Sequence, residues 1–367
     1  MPPLHRASLV GALLVVALPI LGAALPPCAY TPAETLSSQL TLQGNLRAEG
    51  DGPSLSSLGG EASAAFTRLF ASAASAYSLD AAGNLAIGAG GPAFKLDGSG
   101  DFKRFITGDR FTVGALKLDY APATGLEIDL TGGLGVGRFR DVTPLAKAIR
   151  IQNTLIDRGI LLAPFTDETL KTLAQEIGRV GASVSDRLTT LEQTIVATGL
   201  IKGDALGARG LLEMEDILTA SGEARLCGWD LQARFGAAVT GLPDAVLSEA
   251  IVLQARTARV PDPVSQWTAS AQWTSGFSPL SRYQITASVS YGRRVGQGFR
   301  LTAAYDFLRE DRWSSADATY NTHQLSATLA IQLTSGLSLT VNGKLAFDTR
   351  VGAVTSLLLV QLSYDVF

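Results

Sequence analysis

The residue types that catalysis and metal binding require are scarce in this chain. It has two histidines, His5 and His323, and two cysteines, Cys28 and Cys227. A zinc site built on histidines is therefore not expected, and the cysteines supply at most two thiolates. The sequence contains neither a Gly-x-Ser-x-Gly nucleophile motif nor a phosphate-binding loop. We expect no enzyme activity, no metal and no cofactor.

Polar side chains that recur at every second position carry most of the chemical information in this sequence. Gln324 and Ser326, for example, alternate with Leu325 and Leu329. A period of two gives a strand one polar and one apolar face. Alternating segments of about ten residues are typical of transmembrane barrels, in which the polar face lines the lumen. The predicted lumen residues are Gln39, Gln43, Arg47, Lys95, Asp97, Lys117, Asp119, Glu127, Asp129, Asp230, Arg234, Gln272, Gln284, Arg300, Asp306, Gln332 and Lys344.

The charges of this lining are of both signs. Lys117 and Asp119 are expected to face Asp129 and Glu127 across one hairpin, where opposite charges attract each other. The scatter of signs along the sequence predicts no ring of one sign that would select ions. It suits a water-filled pore of low selectivity or a closed interior of hydrogen bonds and ion pairs.

Aromatic residues on the apolar faces have the spacing of membrane anchors. Tyr283 and Tyr291 lie eight residues apart on one predicted strand, as Phe299 and Phe307 do on the next. Eight residues of a tilted strand rise about 20 Å, close to the ~25 Å apolar band of outer-membrane barrels. The predicted membrane-interface aromatics are Trp229, Trp267, Trp273, Tyr283, Tyr291, Phe299, Phe307 and Tyr364.

These positions lie on two blocks of predicted strands, residues 25–140 and 223–367. We assign six strands to the first block and eight to the second. The alanine-rich region 61–91 is the weakest, with a turn expected at Asp80–Asn84 and a Gly/Ser/Pro loop before it at 48–60. Fourteen strands are therefore preferred, and twelve remain open.

Residues 141–222 have a different period. Leu170, Leu173 and Ile177 recur at helical spacing, and Thr166 or Asp167 is a suitable helix start. We predict three or four helices that pack as an insert. If both ends of the barrel chain lie in the periplasm, counting strands back from the C-terminus places this insert in the periplasm as well.

The first 24 residues have the pattern of a cleavable signal peptide. His5 and Arg6 precede the apolar run 9–24, which ends in Gly-Ala-Ala. The net charge of −3 and the 17 % of charged residues give no reason to expect a nucleic-acid partner. The two cysteines leave a single bridge open, but two unrelated thiols are the expectation.

Taken together, the signal, the alternating segments and the terminal sequence Leu362-Ser-Tyr-Asp-Val-Phe367 resemble a Gram-negative outer-membrane β-barrel protein. A terminal phenylalanine on an alternating strand resembles the assembly signal of this class, although Asp365 stands where a second aromatic is usual. The resemblance implies an all-β transmembrane antiparallel barrel in the outer membrane. It also implies lipid contacts and recognition by the barrel-assembly machinery.

Three functions are compatible with this sequence. The first is a porin-like channel or solute-binding barrel whose periplasmic helices gate the lumen or touch a periplasmic protein. The second is a structural barrel with a plugged lumen that contacts envelope partners. The third is a lipid-modifying enzyme, which is disfavoured because His323 shares its face with leucines rather than with a serine.

Overall fold

The computed structural model describes most of the chain after the predicted signal peptide. The described residues are 26–32, 34–51, 54–88, 91–122, 125–220, 224–240, 246–276, 282–296, 298–312, 320–333, 337–350 and 352–365. The predicted signal peptide and the terminal Phe367 lie outside these ranges.

Fourteen antiparallel strands form one closed barrel, in which each strand pairs with its neighbours in sequence and β1 pairs with β14. The count of fourteen is confirmed, and the alternative of twelve is wrong. The first six strands are β1 (Glu34–Asp51), β2 (Ser54–Ser72), β3 (Ser75–Gly88), β4 (Gly91–Thr107), β5 (Arg110–Ala121) and β6 (Gly125–Asp141). The other eight are β7 (Leu226–Thr240), β8 (Val246–Asp262), β9 (Ser265–Ser275), β10 (Arg282–Val295), β11 (Phe299–Arg312), β12 (Tyr320–Gln332), β13 (Leu337–Asp348) and β14 (Ala353–Asp365).

Large apolar side chains cover the outside of this barrel. Leu134, Leu325 and Leu345 are each more than half exposed, and comparable leucines occur on most strands. A soluble monomer rarely exposes apolar surface on this scale, whereas a barrel in lipid must do so. Among the described residues, no helix is long and apolar enough to cross a membrane.

Glycines let strands β6 and β7 approach each other unusually closely. A Cβ atom at Gly133 would lie 2.0 Å from the carbonyl oxygen of Ala233, and one at Gly236 would lie 2.0 Å from that of Leu130. Gly137 has φ +107°, a conformation that side chains with a Cβ rarely adopt. The Gly-x-Gly-x-Gly sequence 133–137 therefore marks a close backbone approach in a strand and not a nucleotide loop.

Four helices lie between β6 and β7, which confirms an inserted helical region. They are α1 (Thr143–Asp157), α2 (Asp167–Ile177), α3 (Val184–Ala197) and α4 (Gly207–Thr219). Thr166 caps α2 by accepting a hydrogen bond from the Thr169 amide, and Ser183 and Asp186 form a capping box at α3. Leu145, Leu155, Leu173, Leu191, Ile195 and Met214 are fully buried between the helices. The insert is a packed domain with its own core, and the barrel end that carries it is called the helix end below.

The segment before β1 is fastened to the first residues of β7 by a disulfide. Pro27–Ala29 form a short 3-10 helix (η1), and Cys28 is bonded to Cys227 at the start of β7. Tyr30 is only 5 % exposed and belongs to the same buried cluster as the helices. The expectation of two unrelated thiols is wrong. The chain returns to the helix end 199 residues later, so cysteines remote in sequence become neighbours.

Two local predictions in the first block are also wrong. Asp80–Asn84 is not a turn but lies within β3, and the connection between β2 and β3 falls at Ala73 and Ala74 instead. Most of the expected loop 48–60 belongs to the hairpin of β1 and β2. Glycine, serine and asparagine usually indicate turns, but pairing with a strand on both sides overrides that preference.

Candidate functional site: the barrel lumen

The barrel encloses a cavity of about 830 Å³ in the half that is remote from the helices. Strands β3 to β11 supply its lining. Six carboxylates and three basic groups are among the lining residues: Asp80, Asp101, Glu127, Asp129, Glu249 and Glu310 against Lys117, Arg234 and Arg256. This part of the lumen is therefore acidic, with a formal charge of 3 − 6 = −3.

A buried ion network lies on the wall toward the helix end. Asp230 on β7 accepts two hydrogen bonds from Arg256 on β8, at 3.0 Å from Nε and 2.7 Å from Nη2, and pairs also with Lys103 of β4. The Asp230 side chain is 1 % exposed and that of Lys103 9 %. Gln232 adds a fourth group, because its Nε2 donates to Asp230 Oδ2 at 3.3 Å. A two-bond contact between guanidinium and carboxylate fixes both groups in place.

Lys103 reaches Asp230 across strands β5 and β6. The Phe111 ring of β5 lies over Gly135, where a Cβ atom would be 2.4 Å from the ring, and Lys103 Nζ is 4.8 Å from the ring centroid. Phe111 and Val113 are 1 % and 4 % exposed. The glycines of β6 thus provide the space that this layer needs. Toward the helix end, strands β4, β5 and β7 therefore carry a layer of buried side chains.

The predicted charge pairs of the β5–β6 hairpin have the expected register but different partners. Lys117 is opposite Asp129, and Asp119 is opposite Glu127. The ion pair, however, forms along β5, between Lys117 and Asp119. Lys95 and Asp97 form the same kind of pair along β4 at 2.6 Å, with side chains that are 56 % and 36 % exposed. Exposed pairs of this kind contribute little to stability.

The other predicted lumen residues are distributed around the barrel. Glu127, Asp129, Arg234, Gln272 and Gln284 line the cavity, and Gln39 lines a groove at the helix end. Gln43, Arg300, Asp306, Gln332 and Lys344 alternate with exposed apolar residues on their strands. The Arg47 side chain lies outside the described part of the structure. The predicted lumen residues did not include Phe111, Arg256 and Arg294. The alternation of polar and apolar residues on their strands is the signal that could have indicated them.

Basic residues gather at the opposite end of the lumen from the acidic cavity. Arg294 of β10 and Arg300 of β11 are directly opposite each other in the register, next to the turn at the helix end. Arg225, just before β7, donates from Nη2 to the Val264 carbonyl at 3.2 Å. Arg150 of α1 interacts electrostatically with Arg225 and Arg294. The lumen charges are of both signs, as expected, but carboxylates are in excess in the cavity while Arg225, Arg294 and Arg300 lie at the helix end. Alternation fixes the face of a residue but not its height along the barrel axis.

A second cavity of about 520 Å³ lies between the helical domain and the start of β1. Thr35, Ser37 and Gln39 line it from the barrel, and Lys147 and Arg187 from the helices. Lys147 Nζ donates to the Leu218 carbonyl at 2.7 Å and to the Ala220 carbonyl at 3.3 Å, which ties α1 to the end of α4. A groove with both polar and apolar lining therefore separates part of the helical domain from the start of β1.

The pH dependence of the helical domain should report on Lys147. Burial, and next the positive charge of Arg150, lower the pKa of Lys147 to about 8, with Arg187 and Arg294 acting in the same direction and Asp141 opposing them. The unfolded chain keeps this proton up to the ordinary pKa of 10.5, so stability should rise with pH between about 8 and 10.5. The rise should reach roughly 3 kcal/mol at most.

Urea unfolding followed by helical circular dichroism measures this effect. The rise should be present in the wild type and absent in Lys147→Gln. Lys202→Gln, on an exposed loop of the same domain, is the matched control and should keep the rise. Equal pH profiles for the wild type and Lys147→Gln would contradict the prediction.

The predicted interface aromatics lie toward both ends of the barrel, and one of them, Tyr283, also borders the lumen cavity and donates from its hydroxyl to Asp311 at 2.9 Å. Trp267 and Tyr291 pack against each other near the helix end, with ring centroids 4.6 Å apart. Trp229 and Phe299 lie near the same end and are 53 % and 49 % exposed. Trp273, Tyr283 and Phe307 lie nearer the other end. The Tyr364 side chain lies outside the described part.

His323 is held in an aromatic cluster on the outside of the barrel. Its Nδ1 is 2.8 Å from the Tyr305 hydroxyl, and its ring centroid is 5.2 Å from that of Phe307 and 6.3 Å from that of Phe347. These contacts hold it outside the lumen, on the face that carries the exposed Leu325. Non-enzymatic function stays a prediction.

Comparison with known proteins yields similar folds only. No protein-family model and no curated protein matches the chain. OpdL of Pseudomonas aeruginosa is 8 % identical with a TM-score of 0.36, and 91 % of this chain and 97 % of OpdL are covered. OccAB1 of Acinetobacter baumannii is 8 % identical with a TM-score of 0.35, and 91 % of this chain and 96 % of OccAB1 are covered. The CymD monoaromatic hydrocarbon channel is 8 % identical with a TM-score of 0.34, and 92 % of this chain and 90 % of that channel are covered.

The class of the protein follows from its own geometry. The barrel is closed, has an even number of strands, carries exposed apolar side chains outside and encloses charged and polar ones. A closed barrel is one of only two structures that satisfy every backbone hydrogen bond inside a bilayer. This chain is a membrane-spanning β-barrel of the bacterial outer-membrane type.

Proposed function

We propose that this protein is an outer-membrane channel that lets small polar solutes diffuse through its lumen. The observation that carries the proposal is the polar cavity of about 830 Å³ inside a barrel of fourteen strands. Side chains alone roughly fill a barrel of eight strands, so a barrel of this size has room for water and solute. The helical domain is proposed to lie in the periplasm and to restrict the exit, which the groove along β1 leaves partly open.

Conductance across a planar lipid bilayer tests the channel. The purified protein should give discrete current steps in potassium chloride. A variant with residues 143–219 replaced by a short flexible linker should conduct more, because the cover over the mouth is gone. No current above the lipid background in either form would contradict the proposal. The refolded variant must first show the heat-modifiable gel mobility of a closed barrel.

One observation favours a second function, a structural barrel with a closed lumen. The packed layer around Phe111, Asp230 and Arg256 and the helices over the mouth together resemble a plug. In that case the helical domain would serve as the contact with another envelope protein. Leu162 and Leu212 are 67 % and 61 % exposed on this domain and are suitable positions for a photo-crosslinker. Crosslinking in intact cells that recovers no protein from either position would count against this function.

Membrane lipids and the barrel-assembly machinery are the other proposed partners. The apolar outer surface provides the lipid contact.

A further inference from the structure

The ring of strands is closed by a short contact between its first and last members. Within the described residues, β1 and β14 pair at four positions, residues 41–44 against 362–365. On its other edge, β14 pairs with β13 at twelve positions. Residues 45–51 of β1 and 353–361 of β14 are strand as well, but no backbone pairing joins them across this seam in the part of the chain that the structure describes. The β1–β14 seam is therefore open in the half of the barrel that is remote from the helices.

The two open edges have a register in which they can also pair. Continuing the present register residue by residue brings Asn45 opposite Gln361 and Asp51 opposite Thr355. Both segments already have strand conformation, so closure needs no change of secondary structure. Backbone groups without a partner are costly in hydrocarbon, which favours closure unless water or a solute from the lumen occupies the gap. The register thus allows an open and a closed form of the seam.

The open part of β14 is apolar on both of its faces. Leu358 and Val360 face outward and are 72 % and 54 % exposed. Leu357 lies on the inward face and is 56 % exposed, and Leu359 shares that face. Alternation would place polar residues at these two inward positions, and a strand is apolar on both faces where both contact apolar surroundings. The apolar outer surface of the barrel thus continues through the open seam onto the inner face.

The neighbouring inner face of β13 is polar at the same place. Lys344 is directly opposite Leu357, and Asn342 is directly opposite Leu359. A lysine ammonium is a suitable partner for a carboxylate, and two leucines are a suitable contact for a hydrocarbon chain. Polar and apolar positions that lie side by side at the edge of an open seam suit a molecule with one anionic head group and one chain.

We propose that the β1–β14 seam is a lateral opening through which a long-chain carboxylic acid passes between the lumen and the bilayer. The chain lies against Leu357 and Leu359, and the carboxylate stays at Lys344. Pairing of residues 45–51 with β14 closes the opening. This inference goes beyond the proposed diffusion of polar solutes and does not depend on whether the lumen conducts ions.

Fluorescence quenching in lipid vesicles tests whether the chain enters the barrel. The two native cysteines are bonded to each other, so an introduced cysteine is the only thiol available to a bimane label. A label at Asn342→Cys, on the inner face opposite Leu359, should be quenched by dibrominated stearic acid. A label at Ser270→Cys, on the inner face of β9 opposite the cavity residue Arg256, should not be quenched. Val341→Cys, on the outer face of β13, is the positive control and should be quenched by the acid and by brominated phospholipid.

Substitutions at the seam link the quenching to its residues. Leu357→Asn with Leu359→Asn should remove most of the quenching at position 342, whereas Leu358→Asn, on the outward face, is the matched control and should keep it. Lys344→Gln should raise the acid concentration needed for half-maximal quenching about tenfold, because it removes a charged partner. The same substitution should leave quenching by a brominated long-chain alcohol unchanged. Heat-modifiable gel mobility verifies that each variant is a closed barrel.

A disulfide across the seam tests the opening itself. Ala48→Cys with Leu358→Cys occupies two positions that the continued register brings opposite each other. After oxidation, a stearic acid with a diazirine in its chain should no longer label the inward residues Asn342 and Lys344, and it should label them when the thiols are blocked instead. Leu329→Cys with Val341→Cys, across the paired strands β12 and β13, is the matched control and should not change the labelling.

Four results would overturn the proposal. The first is a label at position 342 that the acid does not quench, and the second is labelling that survives the disulfide across the seam. Quenching at position 342 by brominated phospholipid and not by the acid would assign the opening to bilayer lipid. Covalent dimers through Leu358→Cys alone, without quenching at position 342, would assign the open edge to a second copy of this chain. Current without quenching would support the channel and contradict the lateral opening, and quenching without current would do the reverse.

Discussion

Replacement of Asp230 by alanine is expected to destabilise the barrel by about 3–5 kcal/mol, because it leaves the buried Lys103 and the partly buried Arg256 without their carboxylate. Asp230 is the only carboxylate in the described part of the structure that pairs with both Lys103 and Arg256. Its side chain is 1 % exposed, so water cannot replace the lost contacts. Urea unfolding in detergent, followed by the loss of heat-modifiable mobility, measures the effect.

Asp97→Ala is the matched control for Asp230→Ala. Asp97 also pairs with a lysine on the inner wall, but the two side chains are 56 % and 36 % exposed, so the loss of this pair should change the stability little. Equal destabilisation by the two substitutions would show that burial does not determine the cost.

A triple variant distinguishes the cost of unpaired charges from the net contribution of the network. Lys103→Met, Asp230→Leu and Arg256→Met together replace every charge of the cluster by an apolar group. Buried ion networks replaced in this way are often no less stable. We expect the triple variant to regain most of the stability lost in Asp230→Ala. A triple variant as unstable as the single one would mean that Asp230 stabilises the wall by more than charge compensation.

Removal of the disulfide, by Cys28→Ser with Cys227→Ser, is expected to cost about 2–5 kcal/mol, mostly at the helix end. The bond closes a loop of 199 residues and holds the segment before β1 against the helical core. The barrel itself should stay closed, because fourteen strands are hydrogen-bonded in a complete ring without it. Loss of the disulfide should therefore release the segment before β1 from the helical core without unfolding the barrel.

Limited proteolysis and hydrogen exchange measure this local release. Residues 26–32 and the first turn of α1 should lose protection in the double variant, while heat-modifiable mobility is retained. Tyr30→Ala, which removes a packing contact but keeps the bond, should give a smaller loss of protection. Treatment of the wild type with a reductant should reproduce the double variant. Unchanged protection in the double variant would contradict the prediction.

The strands and helices were predictable because their signals are local. Alternation of Leu325 and Leu329 with polar residues defines a strand with two faces, and the spacing of Leu170, Leu173 and Ile177 defines a helix. The wrong prediction of a turn at Asp80–Asn84 also has a physical cause. The turn preference of Asp, Gly and Asn is weak compared with the hydrogen bonds that β3 forms with β2 and β4.

The site was predictable only in part, for a related reason. The alternation of polar and apolar residues places Asp230 and Arg234 on the inner face. It gives no distance between residues of different strands. Lys103 and Asp230 are 127 positions apart, and Gly135 leaves the space for the Phe111 ring that lies beneath their contact. The pairing of Arg294 with Arg300 likewise depends on the register of one hairpin.

The sequence by itself determined which residues face lipid, which face the interior and where the helices interrupt the strands, since these follow from the periods of strand and helix. Only the tertiary structure decided that carboxylates outnumber basic groups in the cavity, that Arg225, Arg294 and Arg300 lie at the helix end, and that Cys28 meets Cys227. The height of a residue along the barrel axis is set by the stagger between neighbouring strands in the closed ring. That stagger is a property of all fourteen strands together and of no single segment.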